Sequence, residues 1–246
     1  MTVVLLHGVP ENSDIWDDVR DALDRPSVAL RLPGFGSPRP EGFSATKDAY
    51  VDWVLDALRA IDGPIDLVGH DWGGGFTARI GTHFPDAVRS WTIDVAGVIH
   101  PDYVWHDFAK IWQTPGEGEA FFENQLKQTP EEGAAIYTMF GLDEKAALKL
   151  ATMATDETMA GCILDLYRSA TPNPHADWGD GYKASAKPCM VFTLTGDPFT
   201  GGTEPSTEVA KVLGAKELMF ETGHFWPLSH AAEGAGYINE FVSALG

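Results

Sequence analysis

The hydrophobic positions of the chain follow two patterns. Short apolar runs predict β-strands at residues 2–6, 27–32, 65–68, 88–93, 189–194 and 215–220. Apolar residues at helical spacing predict helices at residues 12–23, 46–61, 76–84 and 229–245. This alternation predicts an α/β protein with a mostly parallel sheet flanked by helices and joined by right-handed crossovers. Sites in such sheets lie at the carboxyl ends of the strands.

The alternation stops in the middle of the chain. From about residue 98 to residue 186 the sequence indicates helices separated by Pro and Gly, with aromatic residues scattered through them. We therefore expect residues 1–97 and 187–246 to form the core and residues 98–186 to form an inserted helical cap. A cap above the strand ends would exclude water and line a pocket.

Composition narrows the class of partner. The 246 residues, 44% hydrophobic and 22% charged, suit one large α/β domain with an insertion. A formal charge of −19 disfavours nucleic acid and anionic membranes as partners. The sequence shows no apolar run of membrane length, no signal peptide and no metal-type spacing of Cys162 and Cys189. We expect a cytoplasmic protein with free thiols; the sequence leaves a homodimer open.

The most informative stretch follows the predicted strand at residues 65–68. It contains Gly69-His70-Asp71-Trp72-Gly73, which has the Gly-x-x-x-Gly spacing of a nucleophile elbow. Small residues are expected at both ends because a Cβ there would crowd the turn. Asp71 stands where serine hydrolases carry Ser, and an ionised carboxylate attacks an electrophile without a base, forming an ester. The alternative is a plain strand-turn-helix in which Asp71 caps the helix.

A second turn of this kind follows the first predicted strand. Residues 7–11 are His-Gly-Val-Pro-Glu, and a Gly-containing turn at the end of a buried strand is typical of an oxyanion hole. The backbone N–H groups of Val9 and Trp72 are the predicted donors. We expect His7 to brace this loop through hydrogen bonds.

Together these motifs resemble the α/β-hydrolase superfamily. The pair His-Gly-x-Pro-Glu (7–11) and Gly-His-Asp-Trp-Gly-Gly (69–74) is similar to its epoxide hydrolase and haloalkane dehalogenase branches, which use Asp as the nucleophile. The resemblance covers nearly the whole chain. It implies an Asp71 nucleophile, no metal, no organic cofactor, and a small apolar or moderately polar electrophile with water as the reactants. The family usually has two more strands before the His-Gly loop, so its first two strands are expected to be absent here.

Two segments of the predicted cap resemble epoxide hydrolases in detail. Residues 111–119 are similar to a family Tyr-Phe-Gln-x-Pro-Gly-x-x-Glu segment, and residues 164–168 to a Leu-x-x-Tyr-Arg segment. The resemblance makes Tyr167 the cap residue that donates to the leaving group. The family's first cap tyrosine falls on Phe108, which cannot donate a hydrogen bond.

Other cap residues are weaker candidates for a second donor. His106 or Tyr103 would substitute for the missing tyrosine after a small helix shift. Trp105 and Trp112 would instead offer indole N–H groups, as in dehalogenases that hold a halide between tryptophans. Each dehalogenase subfamily has one expected residue that is missing here. Haloalkane dehalogenases often carry Asn at the position of Val9, and haloacetate dehalogenases carry Arg at the position of Trp72.

The acid and the base of the predicted triad lie in the second half of the chain. Gly-His-Phe at residues 223–225 follows the last predicted strand and matches the family's base, His224. Asp197, after the strand at 189–194, matches the usual acid position. Asp94 is the rival, because some dehalogenases take their acid from the strand that follows the nucleophile helix. The order of nucleophile, acid and histidine agrees with the superfamily.

Three functions follow from these residues. The leading expectation is an epoxide hydrolase-like enzyme that converts an epoxide to a vicinal diol through an alkyl-enzyme ester. The first alternative is a haloalkane or haloacid dehalogenase that releases halide. The second, of another class, is a catalytically inactive binding protein on this scaffold.

Overall fold

A computed structural model describes residues 1–154, 156–174, 178 and 183–246. Its sheet has six strands in the order β2-β1-β3-β4-β5-β6, and every pairing is parallel. The strands are β1 (Thr2–Leu6), β2 (Ser27–Leu30), β3 (Ile65–Gly69), β4 (Ser90–Ile93), β5 (Cys189–Leu194) and β6 (Lys216–Phe220). The predicted fold class is confirmed, and each predicted strand forms within about two residues of its expected bounds.

Helices cover both faces of this sheet and fill the connection between β4 and β5. The helices are α1 (Asp17–Ala22), α2 (Lys47–Arg59), α3 (Trp72–His83), α4 (Asp107–Gln113), α5 (Glu117–Gln125), α6 (Pro130–Met139), α7 (Glu144–Ala154), α8 (Glu157–Arg168), α9 (Thr203–Leu213), α10 (Trp226–Ser229) and α11 (Ala231–Ser243). The helix predicted at 12–23 is divided, because a 3₁₀ turn at Ser13–Trp16 precedes α1. Among these described helices, none combines the length and apolar character needed to cross a bilayer.

Alternate side chains of β1 explain why its apolar run is continuous. Val4 and Leu6 pack into the apolar cluster beneath α2 and α3, whereas Val3 and Leu5 pack into the cluster beneath α11. A strand buried on both faces needs apolar residues at every position. The turn that follows β1, residues 7–11, lies at the carboxyl edge of the sheet, between β2 and β3.

The segment between β4 and β5 is helical, as the sequence predicts. Helices α4, α5 and α8 pack together, while α6 and α7 form a hairpin with its own apolar cluster. A 3₁₀ turn at Ala96–Ile99 packs against α9, and the N–H of Gly97 donates to Ser206 Oγ over 3.1 Å. The predicted border between core and cap, at residue 98, thus falls within a turn that packs on α9. The division of the chain into core and cap stays a prediction.

One described tryptophan fastens the end of this insertion to the sheet layer. The indole N–H of Trp178 donates to Asp48 Oδ1 over 2.7 Å, and Arg79 donates to the Trp178 carbonyl over 2.6 Å. The guanidinium of Arg79 and the ammonium of Lys47 also lie over the indole ring. The insertion therefore meets α2 and α3 through a buried aromatic ring between two cations.

Glycines make the turn between β3 and α3 fit beneath β1. A Cβ at Gly69 would overlap the carbonyl of Gly73, and a Cβ at Gly73 would overlap the carbonyls of Leu6 and His7. The crowding expected from the sequence is confirmed. Gly75, in the same helix, has only one atom within 4 Å of such a Cβ, at 3.9 Å on the Trp72 ring.

Gly73 and Gly75 of α3 should respond in opposite directions to alanine. Gly73→Ala should lower the free energy of unfolding by about 2 kcal/mol or more, because backbone atoms have to move. Gly75→Ala should raise it by up to about 1 kcal/mol, because alanine has the higher helix propensity. Urea unfolding of the two variants tests this pair, and equal effects would contradict the crowding at Gly73.

Candidate active site

Asp71 has a backbone conformation that a non-glycine residue rarely adopts. It lies between β3 and α3 with φ 51° and ψ −124°. Such strain costs about 1–3 kcal/mol and persists only where surrounding packing imposes it. Although Asp71 occupies the N-cap position of α3, its side chain makes no capping hydrogen bond. The geometry therefore does not support the helix-cap interpretation.

The two carboxylate oxygens of Asp71 have different surroundings. Oδ1 accepts the backbone N–H of Val9 over 2.8 Å. Gly8 allows this approach, because a Cβ there would overlap the carboxylate. Oδ2 lies 3.6 Å from His224 Nε2. The Val9 amide, one of the two predicted oxyanion donors, thus hydrogen-bonds the Asp71 carboxylate. Trp72 begins α3, and the role of its amide as the second donor stays a prediction.

His224 is paired with Asp197 on its other side. Its Nδ1 is 2.7 Å from Asp197 Oδ2, and Asp197 Oδ1 accepts the N–H of Phe199 over 2.7 Å. Both side chains are buried. The rival carboxylate, Asp94, contacts other groups. Between Asp197 and Asp94, the structure places Asp197 on the imidazole.

Asp94 belongs to a buried network below the elbow. Its Oδ2 is 2.6 Å from His70 Nδ1 and 2.6 Å from the indole nitrogen of Trp226, and its Oδ1 accepts the N–H of Asp71 over 3.2 Å. On the far side, His70 Nε2 is 3.0 Å from Glu11 Oε1. The His70 ring centroid lies 4.8 Å from that of His224. The network thus reaches from the turn at Glu11 to the ring of His224.

From its place beside the nucleophile alone, His70 is expected to face away from the site and pack. The structure instead gives it a carboxylate on each ring nitrogen. Burial lowers the pKa of His70, but the charges of Asp94 and Glu11 outweigh burial and hold that pKa well above its usual value. His70 is therefore an imidazolium. The sequence feature that could have revealed this pairing is Glu11, because a buried carboxylate within an apolar turn requires a partner.

One group of described residues brings potential metal ligands together. Atoms of Glu11, His70 and His224 lie within 4.8 Å of one another. Two of these residues already hydrogen-bond each other, and the imidazolium of His70 has no free lone pair for a metal ion. The donor set thus fits a proton network better than a metal site.

Burial and neighbouring charge set the protonation of the other groups. Burial raises the pKa of Asp71 to about 6, although the charge of His224 opposes the rise. Burial lowers the pKa of His224, but the charge of Asp197 outweighs burial, and the resulting pKa lies above its usual value. The pKa of Asp197 is lowered, because its imidazole partner outweighs its burial. Asp71 is thus ionised at neutral pH beside a protonated imidazole.

A cavity of about 550 Å³ opens above the Asp71 carboxylate. Residues of both the sheet layer and the helical insertion line it, including His224, Tyr167, Trp112 and Phe108. Phe108, at the place of the missing tyrosine, contributes an apolar wall. The structure therefore brings the predicted nucleophile, base and cap residues to one cavity.

The predicted cap donors differ in what their polar atoms contact. Burial and then the charge of Asp71 raise the pKa of Tyr167 well above its usual value, so its hydroxyl keeps its proton. The buried indole N–H groups of Trp112 and Trp72 have no hydrogen-bond partner among the described residues. The ring of Tyr167 lies close to the Trp72 ring, but no hydrogen bond of ordinary geometry joins the two side chains. The N–H of Trp105 donates to the carbonyl of Ala170 over 2.9 Å, so it is not available to a leaving group.

His106 presents one defined tautomer. Its Nδ1 accepts the N–H of Ala109 over 3.2 Å at the start of α4. Burial first and then the charge of His224 lower the pKa of His106 to about 4. The ring is therefore neutral and carries its proton on Nε2. Because His106 lines the same cavity as Asp71, that N–H is a donor available where the first cap tyrosine is missing. Tyr103, the other substitute, donates its hydroxyl to the carbonyl of Phe199 over 2.8 Å.

The two segments that carry the cap resemblance contact each other. Gln113 donates its side-chain N–H to the carbonyl of Tyr167 over 3.1 Å. Arg168 forms an ion pair with Glu119 at 2.8 Å, and Glu119 also accepts the N–H of Gly116 at the start of α5. These contacts fix α8, and with it Tyr167, against α4 and α5.

A family model for alpha/beta hydrolases matches residues 3–235. The chain belongs to the alpha/beta hydrolase family. This membership agrees with the sheet order, the elbow and the helical insertion described above.

Individual relatives have several chemistries. A haloalkane dehalogenase from Mesorhizobium japonicum is 29% identical over 189 residues, which cover 71% of this chain and 54% of that protein. Epoxide hydrolase A from Mycobacterium thermoresistibile superposes with a TM-score of 0.77 at 18% identity, over 98% of this chain and 91% of that one. A thermophilic esterase from Thermogutta terrifontis gives 0.77 at 19% identity, over 100% and 90%. The chain thus matches about half of that dehalogenase, and the structural likenesses show the fold alone.

The pKa of Asp71 is the most direct check of the site's electrostatics. We expect the Asp71 carboxyl to titrate near pH 6. His224→Gln should raise this pKa further, because the imidazole charge lowers it, whereas His230→Gln should leave it unchanged. Carbon-13 NMR of the Asp carboxyl groups, with Asp71→Asn for assignment, measures each value. A value near 4 in the wild type would contradict the burial of this charge.

The same shift predicts a dependence of stability on pH. Because the pKa of Asp71 is higher in the folded than in the unfolded chain, its ionisation destabilises the fold as the pH rises from about 4 to 6. Above pH 6, Asp71→Asn should therefore be more stable than the wild type, by up to about 3 kcal/mol. The difference should vanish below about pH 4. Asp21→Asn, which removes an exposed charge, is the matched control in thermal unfolding across this pH range.

Proposed function

We propose that the protein is a cofactor-free hydrolase that opens an epoxide to a vicinal diol through an ester on Asp71. The observation that carries this proposal is the Asp71 carboxylate itself. It is held at a strained φ of 51°, with Oδ1 on the Val9 amide and Oδ2 beside His224, and it lines a cavity of about 550 Å³. Family membership supports hydrolysis, and an Asp at the elbow favours attack on an alkyl carbon.

In the first step Oδ2 of Asp71 attacks an epoxide carbon. An Oδ2–C bond forms, the C–O bond of the ring breaks, and negative charge develops on the departing oxygen. Tyr167 donates its hydroxyl proton toward that oxygen, and the Nε2–H of His106 is the second donor in place of the missing tyrosine. Donors in a water-poor cavity act strongly on developing charge.

In the second step His224 activates water. The negative charge of Asp71 contributes to the raised pKa of His224. Once Asp71 is alkylated this charge is gone, so the pKa of His224 falls. The ring then releases its proton, which makes up for the proton that the epoxide oxygen takes up, and the neutral ring can accept a proton from water. The hydroxide adds to the carboxyl carbon of Asp71 while its Oδ1 keeps the Val9 N–H as oxyanion donor. The ester C–O bond then breaks, and the departing oxygen takes the remaining proton of the added hydroxide. The diol is released, and the Asp71 carboxylate and the protonated His224 are restored.

Asp197 is the proposed acid of the triad. Its 2.7 Å contact orients His224 and stabilises the imidazolium that forms when water is deprotonated. Asp94 is 2.6 Å from His70, so we assign it to the network that supports the elbow.

A dehalogenase is the second candidate, and one observation favours it. The indole N–H groups of Trp72 and Trp112 are buried without a partner among the described residues, and unpartnered indoles are suited to hold a halide. The same attack by Asp71 would then release halide in place of an alkoxide. The haloalkane dehalogenase relative supports this candidate.

Two variants test the covalent mechanism. Asp71→Asn should lower turnover of styrene oxide by on the order of 10⁴-fold or more, because the nucleophile is lost. His224→Gln should still be alkylated, and should accumulate the ester, visible as a mass increase equal to that of the substrate. His230→Gln should turn over normally. Full turnover by Asp71→Asn would overturn the mechanism.

Two further variants separate the leaving groups. Tyr167→Phe should slow epoxide opening by about 10²–10³-fold, the range for one lost donor. Trp112→Phe should have a small effect on epoxides but should slow halide release from a bromoalkane if the protein is a dehalogenase. Diol formation and halide release are measured for both variants. Binding of both substrate classes without turnover of either would instead support the inactive binding protein.

A further inference from the structure

The cavity above Asp71 has two chemically different ends. Aromatic side chains surround its inner end, where Asp71, Tyr167 and His224 meet. The outer end is formed by the turn between α5 and α6 and by the exposed side of α6, where the Met139 side chain is 84% exposed. A substrate that fills about 550 Å³ therefore places its reactive carbon at the inner end and any tail group at the outer end.

The charged side chains at the outer end of this cavity have one sign, because the protonated His224 lies at the inner end beside Asp71. Among the described lining residues the carboxylates are Asp71 and Glu132, and none is Lys or Arg. The residues outside the described ranges, 155, 175–177 and 179–182, include no Lys or Arg either. His106 is neutral because its pKa is lowered to about 4. An anionic tail would thus be desolvated without an opposite charge to compensate it.

Glu132 is held at the outer end by backbone contacts. Its Oε2 accepts the N–H of Thr129 over 2.9 Å, and Thr129 Oγ1 accepts the N–H of Glu132 over 3.3 Å. This reciprocal capping box begins α6. No cationic side chain in the described part of the chain forms an ion pair with Glu132. Its negative charge is therefore fixed at the rim without being neutralised.

We propose that Glu132 makes the outer end of the cavity select substrates by charge, accepting a cationic tail best, a neutral one next and an anionic one least. The proposal deepens the epoxide assignment and rests on it for the reaction, though not for binding. It names the substrate class as an amphiphile with an apolar reactive end and an uncharged or amine-type tail. Because Glu132 takes no part in the bond-making steps, the selection acts on binding.

The test uses para-substituted styrene oxides with a trimethylammoniomethyl, a hydroxymethyl or a carboxylate group. Wild type is compared with Glu132→Gln and Glu132→Lys, and KM and kcat are measured separately. Gln at this position preserves the capping box, so the variant is expected to fold. Glu131→Gln is the matched control, because it removes the same charge one residue away from a side chain that does not line the cavity.

We expect Glu132→Gln to reduce the cation-over-anion preference in KM by about three- to tenfold, the range for one partly screened charge. Glu132→Lys should invert the preference, and kcat should change less than twofold. Unchanged preference in Glu132→Gln, or an equal change in Glu131→Gln, would overturn the proposal.

A binding measurement separates this proposal from the proposed reaction. Titration calorimetry of the corresponding diols, with the same three tails, gives dissociation constants without chemistry. If no epoxide turns over but the diol affinities follow the charge of residue 132, the charge selection stands and the epoxide assignment fails. If the diols bind with equal affinity whatever their tail, the charge selection fails whatever the turnover.

Discussion

The site depends on the strained backbone of Asp71. A residue with φ 51° is not stable on its own, so the sharp turn has to be imposed by its surroundings. Those surroundings are the glycine-lined contact between β1 and α3 and the Val9 N–H, which holds one carboxylate oxygen. Because that oxygen is held, the other is left facing the cavity and the imidazole of His224. The contact of β1 and its turn with α3 thus determines which carboxylate oxygen of Asp71 can react.

The buried charges below the elbow also hold Asp71 in position. The His70 imidazolium lies between Glu11 and Asp94, and Asp94 in turn accepts the backbone N–H of Asp71. Removing any one member would leave an uncompensated charge in the interior, which is strongly destabilising. The turn at residues 7–11 therefore contributes to the site twice, through the amide of Val9 above the elbow and through the carboxylate of Glu11 below it.

The sequence was most informative where packing leaves few choices. A strand buried on both faces needs a continuous apolar run, so β1, β3 and β5 were predictable, and the elbow spacing located Asp71. Partners across the sheet were less accessible to sequence reasoning. Asp94 and Asp197 both follow strands, and only the distance between side chains distinguishes them. The N–H of Trp105 could not be assigned either, because its acceptor, the Ala170 carbonyl, lies 65 residues away.

The hairpin of α6 and α7 stands apart from the rest of the molecule in its packing. Its apolar cluster is distinct from the two that sandwich the sheet, and it meets the core at Phe225, beside His224, and at Leu228. Residues inside the hairpin can therefore be exchanged for others of similar volume without disturbing the sheet. Natural variation in this hairpin would retune what enters the cavity while leaving the bond-making groups alone. For enzyme engineering, it is the element to recombine between homologues.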